Sequence, residues 1–159
     1  MKPTERVAAA LEALRLPAKV VEFDASTATA EAAAAAVGCE LGQIVKTLVF
    51  LADGRPTMVL AAGDRLVDTA KLAELLGVSR KRLKMGSADE VLAMTGYPVG
   101  GVSPVGGLTR CDVVADASLG RFERVWAAAG GPHAVFGIGR EELVSATRAQ
   151  WGAITREAS

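Results

Sequence analysis

The chain has 159 residues, half of them hydrophobic, which is the size of one globular domain with a single continuous core. Basic and acidic residues both number 18, so the molecule as a whole has no charge bias toward polyanions or membranes. No apolar stretch reaches the roughly 18 to 20 residues that cross a bilayer, and the N-terminus has no leader pattern. We therefore expect one cytoplasmic domain over residues 1–159, with no membrane partner and no DNA partner.

The start of the chain predicts a helix followed by a strand. Thr4 is a candidate cap for an amphipathic helix over residues 4–15, which ends before Pro17. Residues 19–23 are β-branched and apolar enough for a short strand.

An alanine-rich helix and a hairpin come next. Thr27 or Thr29 can cap the helix, and Gly38 ends it. Residues 43–52 and 56–62 are apolar strands separated by an Asp-Gly turn, which is typical of a β-hairpin.

The second half of the chain mixes helices and strands. Asp68 can cap a helix that ends at Gly77, and Ser87 with Glu90 predicts a capping box for a helix ending near Gly96. Further strands are expected at residues 112–115, 123–128 and 134–138, then a helix at 140–148 and a short strand at 151–155. Most strand connections are too short for crossover helices, so we predict an α+β fold with a mixed, strongly curved, barrel-like β-sheet surrounded by helices.

Metal and disulfide chemistry are not expected. Cys39 and Cys111 lie far apart in the sequence, and His133 is the only histidine. These residues are too few for a zinc site or a disulfide framework. We predict two reduced, mostly buried thiols, no metal and no cofactor.

One lysine interrupts the first strand of the hairpin. Burying the ammonium of Lys46 without a partner would be costly and would lower its pKa. Alternatively, the alternation of side chains places Lys46 on a solvated face, or its aliphatic stem lets the ammonium reach the rim of the sheet.

A glycine-rich loop spans residues 95–107, with five glycines and two prolines in thirteen residues. Glycine allows close approach of a ligand, and proline stiffens the loop, so backbone N–H groups can be held at defined positions for an anion. The loop has neither the Gly-Lys-Ser/Thr of a P-loop nor Gly-x-Gly-x-x-Gly spacing. The alternative is an ordinary structured surface loop.

The histidine follows a Gly-Gly-Pro turn. His133 stands at the start of a predicted strand, where a loop position exposes an imidazole to a cleft. A histidine with a purely structural hydrogen bond is equally compatible with this position.

Together these features resemble the YbaK/EbsC proteins and the editing domain inserted in bacterial prolyl-tRNA synthetases. The resemblance is carried by Ile44-Val-Lys-Thr-Leu-Val-Phe50, by Gly-x-x-x-Pro from Gly100 to Pro104, and by Gly-x-x-His from Gly130 to His133. The segments follow in the same order over nearly the whole chain. The resemblance implies a free-standing deacylase that removes a wrong amino acid from the 3′ end of a tRNA.

The resemblance also implies the site residues. Lys46 is expected to be needed for activity, and the glycine loop to shape the site for the aminoacyl ester and terminal adenosine. Ester hydrolysis needs donors for the developing oxyanion, which backbone N–H groups can provide. We therefore place Lys46, Gly100 and Gly101 in catalysis. The expected substrate-binding residues are Thr47, Tyr97, Ser103, Pro104, Gly130 and His133.

The nucleophile and the specificity are less defined. No Ser–His–Asp or Cys–His pair is evident, so we expect water, a ribose hydroxyl or a substrate thiol to attack. Thr47 replaces the Asn common in alanine-specific members, and His133 replaces the basic residue frequent in cysteine-clearing members. Small amino acids such as Ala or Cys on tRNA-Pro are the expected substrates, and prolyl-tRNA synthetase is a candidate partner.

Two other functions are compatible with the sequence. One is a non-catalytic RNA-binding or synthetase-associated module in which Lys46 and the basic run at residues 80–84 contact phosphates. The other is a small-molecule ester or amide hydrolase unrelated to tRNA.

Overall fold

The computed structural model describes residues 1–158, which form five α-helices and ten β-strands. The helices are α1 (Pro3–Ala13), α2 (Ala30–Val37), α3 (Thr69–Leu76), α4 (Ala88–Thr95) and α5 (Arg140–Thr147). The strands are β1 (Val20–Glu22), β2 (Ile44–Ala52), β3 (Arg55–Ala62), β4 (Arg65–Val67), β5 (Leu83–Met85), β6 (Asp112–Asp116), β7 (Arg124–Ala128), β8 (Ala134–Gly139), β9 (Gln150–Gly152) and β10 (Thr155–Glu157). None of the helices in this part of the chain is long and apolar enough to span a bilayer.

Eight of the strands form one mixed sheet in the order β1-β8-β7-β2-β3-β6-β9, with β5 also paired to β2. The pairs β2–β7, β3–β6 and β6–β9 are parallel, and the others in this sheet are antiparallel. The two remaining strands, β4 and β10, form a separate antiparallel ribbon. The predicted α+β class with a mixed sheet is confirmed.

Strand β2 is the central strand, and one of its edges is shared between two neighbours. Its pairing with β3 runs from Val45 to Ala52. On the opposite edge, β7 pairs with Ile44 and Val45 only, and β5 begins at Phe50. Between these two neighbours, residues 46–48 face no strand in the described part of the chain. The sheet therefore has an opening beside the middle of its central strand, which we call the β2 opening.

The two faces of β2 carry different clusters of the core. Val45 and Val49 belong to the large cluster that packs on α1, whereas Phe50 belongs to the cluster that packs on α3. Because side chains alternate along a strand, Thr47 lies on the α1 face and Lys46 on the α3 face. Both residues lie beside the β2 opening.

Most predicted boundaries are confirmed by the backbone. The hairpin turn has positive φ at Asp53 (51°) and Gly54 (80°), as a two-residue type I′ turn requires. Thr29 rather than Thr27 caps α2, accepting the Ala32 N–H. Capping by Asp68 and the Ser87–Glu90 capping box are present as predicted.

Other predictions at this level are wrong. Thr4 is not the cap of α1, because the helix already begins at Pro3, whose fixed φ suits the first helical turn, with Lys2 as the N-cap residue. The single strand predicted at residues 151–155 is wrong. This part of the chain forms two strands, β9 and β10, which are separated by two residues and belong to different sheets. Strands β4 and β5 were not expected, since each has only three residues and includes a basic residue, which leaves no apolar run to detect.

Candidate active site

A cavity of about 740 Å³ lies at the β2 opening. Its walls come from α2, from residues 44–49 of β2, from β4, from residues 85–86 at the end of β5, from the glycine loop and from β7. The volume is in the range of sites that hold small ligands or cofactors. Of the residues predicted to form the site, the lining includes Lys46, Thr47 and Gly100.

The ammonium of Lys46 is half-buried at this cavity and has a protein partner. Lys46 Nζ donates to the backbone carbonyl oxygen of Arg65, on β4. Burial lowers the pKa of Lys46, and the negative charges of Glu31, Asp116 and Asp64 oppose that shift. The lysine is therefore neither an unpaired buried charge nor a freely solvated surface residue.

An ion pair beside Lys46 organises the wall of the cavity. Asp64 accepts two hydrogen bonds from the guanidinium of Arg121, at 2.9 and 2.7 Å. These bonds lower the pKa of Asp64, which keeps its carboxylate charged. The Nε atom of Arg65 lies 4.0 Å from the same carboxylate. The residue whose carbonyl accepts the Lys46 hydrogen bond is therefore held next to this ion pair.

Thr47 brings unpaired polar groups to the β2 opening. Its Oγ1 is buried and has no hydrogen-bond partner among residues 1–158. Gly63 donates its N–H to the Ile44 carbonyl, so the peptide groups of alternate residues 44, 46 and 48 face β3. The N–H and C=O of Thr47 consequently face the opening, where no strand pairs with them.

The glycine loop supplies one free donor and one that is already used. Residues 98–101 form a turn in which Gly101 donates its N–H to the Pro98 carbonyl at 2.9 Å. Gly100, at the third position, has φ +91°, as a type II turn requires. Gly100 lines the cavity, whereas the N–H of Gly101 is occupied and its carbonyl accepts from Gly130 at 2.8 Å.

Tyr97 does not line the cavity but holds the glycine loop in place through buried contacts. Its ring is fully buried, its hydroxyl donates to the Val105 carbonyl at 2.7 Å, and the Arg6 guanidinium stacks on it at 4.5 Å. Arg6 also donates to the carbonyl oxygens of Thr95 and Gly106. These contacts tie both ends of the loop to α1.

Three further predicted residues also lie outside the lining. Ser103 is buried, with its Oγ accepting the Val105 N–H at 3.2 Å, and Pro104 is buried beside it. Gly130 has φ +94°, and an added Cβ would lie 2.8 Å from the backbone of Pro3. The structure thus places these residues around the glycine loop and not against the cavity.

His133 is exposed and supports a neighbouring segment. Its Nδ1 lies 3.1 Å from the Ala25 carbonyl oxygen, and its own carbonyl accepts the Phe23 N–H at 2.8 Å. The adjacent Pro132 carbonyl accepts the N–H of Thr27, which does line the cavity. His133 therefore reaches the cavity only through residues 23–27.

The cysteines do not line the cavity. Both are free thiols and half-buried, and burial raises the pKa of Cys39 and of Cys111. A raised pKa keeps a thiol protonated and unreactive. Within residues 1–158, no group of three or more His, Cys, Asp or Glu residues is arranged to hold a metal ion.

Sequence reasoning missed the charged residues that surround Lys46. Glu31 begins α2, and Asp64 and Arg65 follow the hairpin. A Gly-Asp-Arg sequence directly after a buried strand is a detectable signal, because polar residues at a strand end often lie at a site. Arg121, by contrast, is 57 residues from its partner Asp64, and no local pattern links them.

The central strand of the mixed sheet has a lysine at an opening, and a glycine loop lies beside it. These features are those expected of an aminoacyl-tRNA editing domain. The chain belongs to the aminoacyl-tRNA editing domain family, whose model matches residues 24–146. The resemblance identified from the three sequence segments is confirmed.

The relatives agree with this assignment. The uncharacterized protein YwhH of Bacillus subtilis is 37% identical over 125 residues, 78% of each chain. A proline–tRNA ligase of a Geobacter species is 43% identical over 89 residues, which are 56% of this chain but 15% of the ligase. The crystal structure of a protein proposed to be a trans-editing enzyme for prolyl-tRNA synthetase superposes with a TM-score of 0.90 at 39% identity, covering 98% of both chains.

Proposed function

We propose that this protein is a single-domain deacylase that hydrolyses the ester between a wrong amino acid and the 3′ end of a tRNA. The observation that carries the proposal is the β2 opening in a member of the editing family. It brings the Lys46 side chain, the unpaired backbone N–H of Thr47 and the Gly100 backbone to one cavity.

Lys46 acts in its charged form. One of its protons is donated to the Arg65 carbonyl, which orients the side chain and leaves two N–H donors for the substrate. In a partly desolvated cavity such a cation attracts negative charge more strongly than it does in water. Lys46 therefore either holds a terminal phosphate or polarises the ester carbonyl.

The oxyanion donors are the backbone N–H groups of Gly100 and Thr47. Gly101 contributes shape and not a donor, since its N–H is bonded to Pro98. Gly100 and Thr47 line the same cavity, and their backbone N–H groups need no proton transfer to stabilise negative charge. Donors already held in place require no rearrangement as charge develops.

The attacking group is water or a group of the substrate. Ser103 is buried behind the loop and no cysteine lines the cavity, so neither residue type can reach an ester there. Thr27 and Thr29 use their hydroxyls in backbone hydrogen bonds. Hydrolysis then proceeds without a covalent enzyme intermediate.

The substrate amino acid is small and its carrier is tRNA-Pro. Alanines of α2, Ala30 and Ala33, line the cavity beside the β2 opening, together with branched aliphatic residues. The likeness to proline–tRNA ligases and to a protein proposed to edit for prolyl-tRNA synthetase supports this carrier, with the synthetase as a partner. Ala and Cys are the first candidates.

A panel of mischarged tRNAs tests the proposal. The wild-type protein should hydrolyse Ala- or Cys-tRNA-Pro faster than it hydrolyses Pro-tRNA-Pro. A non-catalytic RNA-binding module would protect the ester or leave its lifetime unchanged on every tRNA. Hydrolysis that uncharged tRNA does not inhibit would instead assign the protein to small-molecule esters.

A further inference from the structure

Three large apolar side chains lie exposed around the mouth of the cavity. Leu66 on β4, Met85 on β5 and Val99 in the glycine loop are 41%, 59% and 66% exposed, and each also lines the cavity. They come from three separate walls, and we call them the collar. Exposed apolar groups gathered at a cavity mouth mark a surface that a ligand covers.

One cation lies next to the collar. Arg156 of β10 stands opposite Leu66 in the β4–β10 ribbon, which places the side chains of Arg156 and Leu66 on one face. Arg156 is exposed and forms no ion pair within residues 1–158. Apolar surface beside an unpaired cation suits a single-stranded nucleic acid, whose bases cover the apolar groups while a phosphate meets the charge.

We propose that the collar binds the unpaired nucleotides that precede the esterified 3′ nucleotide of the tRNA. This inference rests on the proposed function. A cavity of about 740 Å³ is of the size that holds one small ligand, here the amino acid with its nucleoside. The nucleotides before it must then lie outside, where Leu66, Met85 and Val99 are the surface that they meet.

The test compares three stable probes by competition binding. The first is adenosine carrying a 3′-alanyl amide, which cannot be hydrolysed like the ester. The second is the trinucleotide CCA with the same amide, and the third is this trinucleotide with both cytosine bases removed and its phosphates kept. The variants are Met85→Ser with Val99→Ser, and Leu14→Ser as a control, because Leu14 is 44% exposed and outside the cavity lining.

The trinucleotide should bind the wild type about tenfold more tightly than the nucleoside, as covering roughly 50 Å² of apolar surface predicts. The collar double variant should lose most of that advantage, so that its affinities for the trinucleotide and the nucleoside become nearly equal, whatever its absolute affinity for the nucleoside. Removal of the two bases should have the same effect on the wild type. Leu14→Ser should bind like the wild type, and thermal melting should show that all variants are folded.

Several results would overturn the collar assignment. Equal affinity for the nucleoside and the trinucleotide, or an abasic probe that binds as well as the complete one, would leave phosphates as the only contact. A change in sedimentation of the double variant from dimer to monomer would make the collar an interface between two copies. If no probe binds, the collar proposal fails, and the mischarged-tRNA panel on the same preparation decides the proposed function separately.

Discussion

At the scale of single residues, the proposed function depends first on the charge of Lys46. Replacing Lys46 with Ala should lower kcat/KM for mischarged tRNA by about 100-fold, or about 2.7 kcal/mol, because the cation at the ester is removed. Burial lowers the pKa of Lys46, so deprotonation should begin at a lower pH than for a free lysine. Since the charged form is active, kcat of the wild type should fall as pH rises through this lowered pKa, after subtraction of spontaneous hydrolysis.

Two variants make this prediction specific. Lys46→Arg keeps its charge at high pH and should not show the alkaline decline, whatever its absolute rate. Lys19→Ala removes an exposed lysine outside the cavity and should behave like the wild type. If Lys46→Ala stays within about threefold of the wild type, the lysine is structural. A rate that rises through the lysine pKa would make the neutral amine a general base.

Replacing the Thr47 side chain should change stability rather than activity. Its buried hydroxyl has no partner among the described residues, so Thr47→Val should raise the free energy of unfolding by up to about 1 kcal/mol. The same change keeps the backbone N–H that faces the opening, so kcat should stay within about threefold of the wild type. Thr47→Ser keeps the unpaired hydroxyl and should not gain this stability. Loss of stability in Thr47→Val would indicate that the hydroxyl has a structural partner.

At the scale of elements, two neighbouring residues of the glycine loop have different roles: Gly100 as a proposed donor and Gly101 in packing. An added Cβ at Gly100 would lie 3.2 Å from the Ala28 Cβ, at φ +91°, so Gly100→Ala should move the turn and lower kcat about tenfold or more. Its cost in stability should be about 1 kcal/mol. At Gly101 the Cβ would lie 2.7 Å from the Gly131 nitrogen, so Gly101→Ala should mainly destabilise the fold.

Matched variants control for backbone strain. Gly77→Ala introduces the same positive-φ strain at +71°, with open space around the Cβ, and lies outside the cavity. It should lose a similar amount of stability but no activity, as measured by chemical unfolding and deacylation on one sample. Ser103→Ala should be mild, because its hydroxyl only accepts a local N–H. Loss of turnover in Ser103→Ala with a trapped acyl-enzyme would make Ser103 the nucleophile and contradict the donor mechanism.

The basic run leads along β5 to the cavity. Arg82 pairs with Asp53 at 3.2 Å and Arg80 bonds to Thr69, whereas Lys81 and Lys84 are exposed. Reversing Lys81 and Lys84 to Glu should raise KM for aminoacyl-tRNA. If both lysines contact phosphates, the slope of log KM against log salt concentration should fall by about one to two. Hydrolysis of a minimal aminoacyl-adenosine should not change.

A second double variant tests whether the position of the reversed charges on the surface matters. Arg15 and Lys19 are exposed between α1 and β1 and outside the cavity lining, so reversing them changes the net charge equally. This control should leave the salt slope unchanged. Equal slopes for the two double variants would assign residues 80–84 to an ordinary solvated surface.

At the scale of the whole molecule, local signals predicted most elements, and of the site residues that the family resemblance implied, Lys46, Thr47 and Gly100 line the cavity. The Asp-Gly turn, the caps at Asp68 and Ser87 and the helix stop at Gly38 act over a few residues, so the sequence displays them directly. The β4–β10 ribbon joins residues about 90 apart in the chain, and no local pattern encodes such a pairing. Gly101 likewise looks like Gly100 in the sequence, and only the turn geometry shows that its N–H is occupied.

The β2 opening also has a consequence for amide hydrogen exchange. The amides of Lys46 and Leu48 face β3 in a central strand and should exchange slowly, since they open only with the sheet. The Thr47 amide faces the opening and should exchange orders of magnitude faster, as one labile site between two protected ones. A bound 3′-alanylamido-adenosine that accepts this N–H should slow its exchange selectively. Nuclear magnetic resonance can therefore report occupancy of the site from one amide, without turnover, and uniform protection along β2 would mean that the strand has no opening in solution.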